Sequence, residues 1–281
     1  MTSDSVLELI NCGYTILKKE EHNELKEIND NLLRERINQI LREEGEYAGF
    51  EGKEEYIRVG KQFEPKANRI SNLGNKGKIF REIACLDCVN SIISNVIRSE
   101  YKISSINMRE PMPGNLQDFH IDWIPRNKES DLYTSFLAFY YVDSVTIENG
   151  PTAIIPKSHT WLGWPNQSMS LKTEEQIKPI NITADAGDLL IFNSNLIHRG
   201  TINKSLKSRK AIVVTYRSRN MPQQLNQKRY ISPKTLKSMN DRELYLFALR
   251  ENDEMQDNLG IGAGQYMRKD GITRSDADED M

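Results

Sequence analysis

Four side chains in this sequence have the types and spacing to do chemistry together: His120, Asp122, His198 and Arg209. His120 and Asp122 form an H-x-D within FHIDW. On a strand, residues two apart point to the same face, so an imidazole and a carboxylate would enter one interior together, as metal ligation requires. The tripeptide alone says little. With 40 acids in 281 residues, each histidine has about a 0.14 chance of an acid two places on, and four histidines give roughly even odds of one such match. Taken by itself, H-x-D is better read as holding a structural histidine. The second segment changes the balance. Ala186-Gly187-Asp188 turns the chain into an apolar run, LLIFN, and His198 follows in a polar loop or at a strand edge. Eleven positions later Arg209 opens the apolar KAIVVTY. An arginine at the mouth of such a strand points either to water or into the interior, where its planar guanidinium can grip a carboxylate in bidentate fashion.

The remaining candidates are weaker. His22 lies in KEEHNELKE, a polar helix face, and reads as solvated. His159, after Pro156-Lys157-Ser158, is a rival third imidazole. Cys85 and Cys88 form a C-x-x-C, but only Cys12 remains to complete a metal site, and both fall in an apolar-periodic stretch, as ordinary buried thiols on a helix do.

Residues 101–220 must position these groups. ISSINM, FHIDW, TSFLAFYYV, TAIIP, NITA, DLLIF and KAIVVTYRS are short β-branched or aromatic runs, separated by turn signals at 111–114, 148–151 and 186–188. They predict an antiparallel sandwich or barrel. Helical spacing dominates residues 20–43 and 78–99, with 44–77 read as loop. Helix returns after residue 220, where Asn240 and Glu243 form a capping box ahead of LYLFAL. Residues 1–250 are expected to be one domain, with 251–281 a C-terminal segment whose last dozen residues lack anything to bury and are expected to be disordered. A net charge of −2 argues against a nucleic-acid partner held by a broad basic field. No apolar run nears the ~18 residues of a membrane span, and no export signal is visible, so no membrane partner and a cytoplasmic location are expected, as a monomer or homodimer.

In order and spacing, these residues resemble the phytanoyl-CoA dioxygenase family, a branch of the 2-oxoglutarate oxygenases. The resemblance runs from Gly13-Tyr14 through Pro113-Gly114, Gln117 and His120-Ile121-Asp122. It continues through Gly150-Pro151-Thr152, Pro156-Lys157-Ser158-His159, Gly187-Asp188-Leu189-Leu190-Ile191-Phe192, His198 and Arg209, covering about residues 5–220. It implies a mainly β fold with flanking helices: a double-stranded β-helix (jelly-roll, cupin-like) core packed by N- and C-terminal helices. It also implies that His120, Asp122 and His198 bind Fe(II) as a 2-His-1-carboxylate triad, leaving three coordination positions for 2-oxoglutarate and O2. Arg209 would hold the far carboxylate of 2-oxoglutarate, with release of succinate and CO2. Halogenating relatives replace the acid of H-x-D by Gly or Ala. Asp122 is retained here, which implies hydroxylation of a small-molecule substrate, with desaturation or oxidative cyclisation at the same iron as alternatives. The sequence departs from the pattern at Lys157, where Gly is usual, and at Gly200, where some relatives carry a hydroxyl that contacts the cosubstrate. Gln117 and Asn107 are alternative cosubstrate contacts. His159 falls at a position that is not a ligand position. For the substrate, Trp123 and Arg126 follow H-x-D, and Arg217 and Arg219 share a nominal strand face with Arg209, which suggests an acidic substrate. A metal-binding but non-catalytic barrel and a zinc hydrolase are the rival classes; the second has no use for the Arg209 clamp.

Overall fold

The computed structural model describes residues 2–44, 56–58, 67–128, 133–250 and 266–268. Among these, the strands in chain order are β1 (Tyr14–Leu17), β2 (Tyr56–Arg58), β3 (Ala67–Ile70), β4 (Tyr101–Pro111), β5 (Ser135–Tyr141), β6 (Thr152–Ile154), β7 (Ile180–Ile182), β8 (Leu189–Asn193), β9 (His198–Gly200), β10 (Ala211–Ser218) and β11 (Tyr266–Arg268). Helices precede and follow the main strand region: α1 (Thr2–Cys12), α2 (Asn23–Glu27), α3 (Asp30–Glu44), α4 (Lys78–Ala84) and α5 (Asp87–Ile97) before it, α6 (Pro165–Ser170) within it, and α7 (Gln227–Tyr230), α8 (Pro233–Ser238) and α9 (Asp241–Leu246) after it.

A six-stranded antiparallel sheet, in the order β1-β8-β5-β10-β4-β3, faces a three-stranded antiparallel sheet, β7-β6-β9. Bridges Val145↔Ala184 and Asn149↔Asn203 extend the smaller sheet. Period-two alternation sorts the side chains of the large sheet. From β5 and β10, Phe136, Ala138, Tyr140, Ile212, Val214 and Tyr216 join Leu9, Leu33, Ile37, Phe80, Ile93 and Val96 of the helices in one core. The intervening Leu137, Tyr141 and Ala211 pack inward with Ile154, Ile182, Leu190 and Phe192. The strand FLAFYYV is therefore an unbroken apolar run because helices cover one face and the jelly-roll interior the other. This is the expected mainly β double-stranded β-helix with flanking helices. Among the described residues, no helix is long and apolar enough to cross a membrane.

Local chemistry moves several boundaries. The stretch 20–43 is two α-helices, because the Asn29 side chain accepts the Leu32 N–H at 3.1 Å and starts α3 afresh. The stretch 78–99 also breaks, at Cys85-Leu86, and the amides of Asp87 and Cys88 that open α5 donate to the Glu24 carboxylate at 3.1 and 2.7 Å. Burial pushes both Cys85 and Cys88 thiols up to about 12, so the C-x-x-C is a pair of inert, protonated side chains. The Asn240–Glu243 capping box forms as expected, with both bonds at 2.9 Å. The reading of 44–77 as loop is corrected at β2, which pairs with β11, and at β3, which pairs with β4 and closes that side of the large sheet. The expected disorder of the last dozen residues concerns a stretch outside the described residues.

Candidate metal centre

His120 and His198 are joined by their backbones before any metal is considered. Each N–H donates to the other's carbonyl, at 2.9 and 3.0 Å, so the two form an isolated antiparallel bridge with their rings on one face, centroids 4.3 Å apart. FHIDW is thus mostly loop rather than the expected strand. Asp122 reaches the same place because its N–H donates to Ser194 O at 2.8 Å. Ligand atoms of the three residues lie within 4.8 Å of one another. The Asp122 carboxylate is 3.3 Å from His198 Nε2 and 3.8 Å from His120 Nε2.

The other ring nitrogens fix which atoms face the centre. His120 Nδ1 bonds the Asp118 carbonyl at 2.8 Å and His198 Nδ1 the Leu196 carbonyl at 2.9 Å. A carbonyl only accepts, so each Nδ1 carries a proton and Nε2 is the ring nitrogen turned toward Asp122, the orientation that metal-ligating histidines take. Burial, reinforced by His198 and opposed by Asp122, lowers His120 to about 4 and keeps it neutral. Burial acts to raise the Asp122 pKa, but His198, His120 and Arg69 outweigh it and hold the carboxylate below its usual range. Two imidazoles and one carboxylate, with Asp122 still one-third exposed, fit a ferrous ion with open positions. Phe192 meets the His198 ring edge-on at 4.9 Å and stiffens it from behind.

The motif residues outside the triad hold this arrangement in place. Gly187 has φ +90°, and Asp188 after it accepts from Lys18 Nζ and the Lys19 amide at 2.7 and 2.9 Å, tying β1 to the start of β8. Ser158 Oγ accepts the Ile197 N–H at 2.8 Å, next to His198. His159 lies outside the triad, fully buried, with Nε2 donating to Ile10 O at 3.1 Å. Burial lowers it to about 4. The unfolded chain takes up this proton below pH ~6.5 and the native chain only near 4, so stability is lost as pH falls through that window. The expected loss from this group is about 2 kcal/mol at pH 5. Thermal melts at pH 7 and 5 check it: the drop between them should shrink in His159→Gln, and an equal drop would contradict the assignment.

The triad opens into a cavity of about 920 Å³, counting its open mouth. Leu137, Phe139 and Val213 give it an apolar wall, Asn107, Gln117, Thr152 and Thr215 a polar one, and Arg69 and Arg109 two guanidiniums. Of the other expected residues, Gln117 and Asn107 line this space, Gln117 accepting the Gly200 N–H at 3.1 Å. Arg209 is buried, with Nε and Nη2 donating to Gly150 O at 3.1 and 2.6 Å, and does not line the cavity. Trp123 and Arg217 stack, the guanidinium 3.7 Å from the ring centroid, beside Asp122. Arg126 instead donates to the carbonyls of His159 and Thr160, at 3.3 and 2.7 Å. Arg219 is not brought to the site. Strand β10 ends at Ser218, the alternation lapses, and Arg219 donates to Tyr101 O and Tyr245 O on the helical side. Sequence reasoning missed Arg109 and Arg69. Arg109 was within reach, being two places past Asn107 on the same strand; Arg69 lies in the stretch read as loop.

Many solved structures share this fold, among them the following three. The epimerase SnoN in complex with Fe3+, alpha ketoglutarate and nogalamycin RO is 14% identical with a TM-score of 0.58, over 77% of this chain and 83% of that one. The alpha ketoglutarate dependent carbocyclase SnoK from nogalamycin biosynthesis is 16% identical, TM-score 0.56, over 78% and 84%. HygX from Streptomyces hygroscopicus, with nickel and 2-oxoglutarate bound, is 12% identical, TM-score 0.60, over 79% and 89%. The sequence itself matches the phytanoyl-CoA dioxygenase family model over residues 21–211, a span that contains the triad and Arg209 and more than half of the chain, and the protein therefore belongs to the phytanoyl-CoA dioxygenase family.

Proposed function

We propose that this protein is an Fe(II)- and 2-oxoglutarate-dependent dioxygenase that hydroxylates a C–H bond of a small organic molecule. The observation that carries the reading is the meeting of His120, Asp122 and His198 with both Nε2 atoms turned inward on an open cavity. Iron(II) bound there supplies O2 activation coupled to 2-oxoglutarate decarboxylation, one oxygen atom entering succinate and the other the substrate, with CO2 released. His120 and His198 hold the metal through Nε2, and their Nδ1 bonds to backbone carbonyls fix the ring planes. Asp122 supplies the negative charge. Leu137, Phe139 and Val213 exclude water from one wall. Arg209 stands at the place the family pattern gives to the carboxylate clamp, and Asn107 and Gln117 offer amides to the same cosubstrate.

The test is succinate release by purified protein supplied with iron(II), 2-oxoglutarate and O2 and screened against small-molecule substrates. Release should need iron, stop on addition of N-oxalylglycine, and fail when zinc replaces iron. Hydrolytic turnover that zinc sustains and N-oxalylglycine leaves untouched would sink the proposal. Product mass separates hydroxylation, which adds one oxygen atom, from desaturation or ring closure, which remove two hydrogens.

A further inference from the structure

Strand β10 runs along the cavity wall, and the groups at its two ends differ. Just before its start, Arg209 bonds the Gly150 carbonyl, and Thr152, two residues on from Gly150, lines the cavity. Towards its far end the wall is made by Thr215 and by Gln224 from the following segment. That segment is tied to β4: the Gln224 and Leu225 amides donate to Oγ and O of Ser104, at 2.5 and 3.1 Å. Ser105 Oγ lies 2.6 Å from Gln224 Oε1, the length of an O–H···O bond, so the carboxamide oxygen is the accepting atom. Gln224 Nε2, with its two N–H donors, bonds no described residue.

Arg217 stands at the same end. Ile212, Val214 and Tyr216 of β10 point to the helices, so Arg217 shares the interior face with Thr215. It is only 5% exposed. Nη1 donates to Pro222 O at 2.9 Å, two residues before Gln224, and Trp123 stacks on the guanidinium plane. The remaining edge has no hydrogen-bond partner among the described residues, and Nε on that edge is buried. Burial disfavours the charge, and the acid that supports it, Asp122, is the carboxylate a metal would take. A buried cation in this position calls for an anion from outside the chain.

We infer that Arg217 and Gln224 form a subsite for a carboxylate of the substrate, at the end of β10 away from Arg209. The Nε–Nη2 edge takes both carboxylate oxygens, and Gln224 Nε2 adds a further donor. The inference rests on the dioxygenase reading and names the substrate class of that same site, a small carboxylic acid. The side edge of a guanidinium presents two parallel donors that match the two oxygens of a carboxylate. A neutral amide or hydroxyl would leave the charge uncompensated.

The cosubstrate is itself a dicarboxylate, so the experiment separates the two. Iron(II)-loaded protein is titrated without O2 with 2-oxoglutarate, followed by the metal-to-keto-acid charge-transfer absorption. A panel of small carboxylic acids, each paired with its primary amide, is then screened for succinate release above the substrate-free rate. Binding of the best acid to the anaerobic complex is measured by calorimetry. Acids are expected to stimulate and their amides not. Arg217→Met should weaken the best acid about 10- to 100-fold and Gln224→Leu about 3- to 10-fold, with 2-oxoglutarate weakened less than about 3-fold by either. Arg217→Lys, which keeps the charge without the fork, should recover part of the loss. A merely structural role would leave the preference for acid over amide unchanged. The inference is overturned if amides stimulate as well as acids, if no acid stimulates, or if both variants bind the acid as wild type does. It is overturned too if Arg217→Met weakens 2-oxoglutarate as much as the acid, the edge then belonging to the cosubstrate. Each of these results leaves the dioxygenase reading standing, whereas failure of the wild-type protein to bind 2-oxoglutarate at iron would remove both.

Discussion

His198→Ala is expected to abolish iron-dependent succinate formation while leaving the fold in place. The side chain touches Asp122, the His120 ring and the edge of Phe192, all of them at the site. The bridge to His120 is made by backbone atoms and survives the substitution. What disappears is one of two imidazole donors, together with the Nδ1 bond to Leu196 O. Outer-shell substitutions around metal sites cost about 10–100-fold in affinity or activity, so removal of a direct ligand should cost at least about 100-fold in iron affinity. Metal binding by the apoprotein, circular dichroism and succinate assay separate the outcomes. A folded His198→Ala protein that kept wild-type succinate release would mean that the metal lies elsewhere. His159→Gln is the matched control. Its imidazole is bonded to Ile10 O, so it should lower stability without removing iron.

The second large effect is structural. Gly13 has φ +89°, and a Cβ there would sit 2.5 Å from His159 Nδ1 and 2.8 Å from Leu196 Cδ1. Alanine would meet both penalties: about 1–2 kcal/mol for the left-handed backbone and about 1–3 kcal/mol for overpacking a fully buried ring. A loss of about 3 kcal/mol should lower Tm by roughly 6–12 °C in a chain of this size. The neighbours make relief difficult. The amide of Lys157 donates to Cys12 O at 2.9 Å, and Ser158 holds Ile197, so the ring cannot retreat without pulling on the segment that carries His198. Gly13→Ala is therefore expected to weaken iron binding as well as to melt early. A melt within a degree of wild type would show that the glycine is dispensable.

These two sites mark what the sequence could and could not disclose. The meeting of His120, Asp122 and His198 was legible because a cluster able to hold a metal restricts residue type and because the ordered turns around these residues have distinctive compositions. The strands of the large sheet were legible for a similar reason, since burial on both faces leaves unbroken apolar runs. The contact between Gly13 and His159 was not, because it joins residues far apart in the chain and depends on a positive φ that no local pattern reveals. Arg209 could be placed at the mouth of β10, but not its turn toward Gly150 O, which is a rotamer choice set by a loop of the other sheet. Arg219 was misplaced because strict alternation was carried past the last paired residue of β10. Arg69 was missed because a polar edge strand, half-buried and bonded on one side, has the composition of a loop.

The double occupation of β5 limits how this enzyme could acquire a new specificity. Phe136, Ala138 and Tyr140 are committed to the helical layer, and Leu137, Phe139 and Tyr141 to the chamber, so nearly every position on the strand has a job that drift would disturb. Variation in what the protein accepts has to come from the rim: the loop that carries Trp123, the edge strand that carries Arg69, and the far end of β4. Libraries aimed at altered substrate range should therefore randomise those margins and leave the central staves untouched.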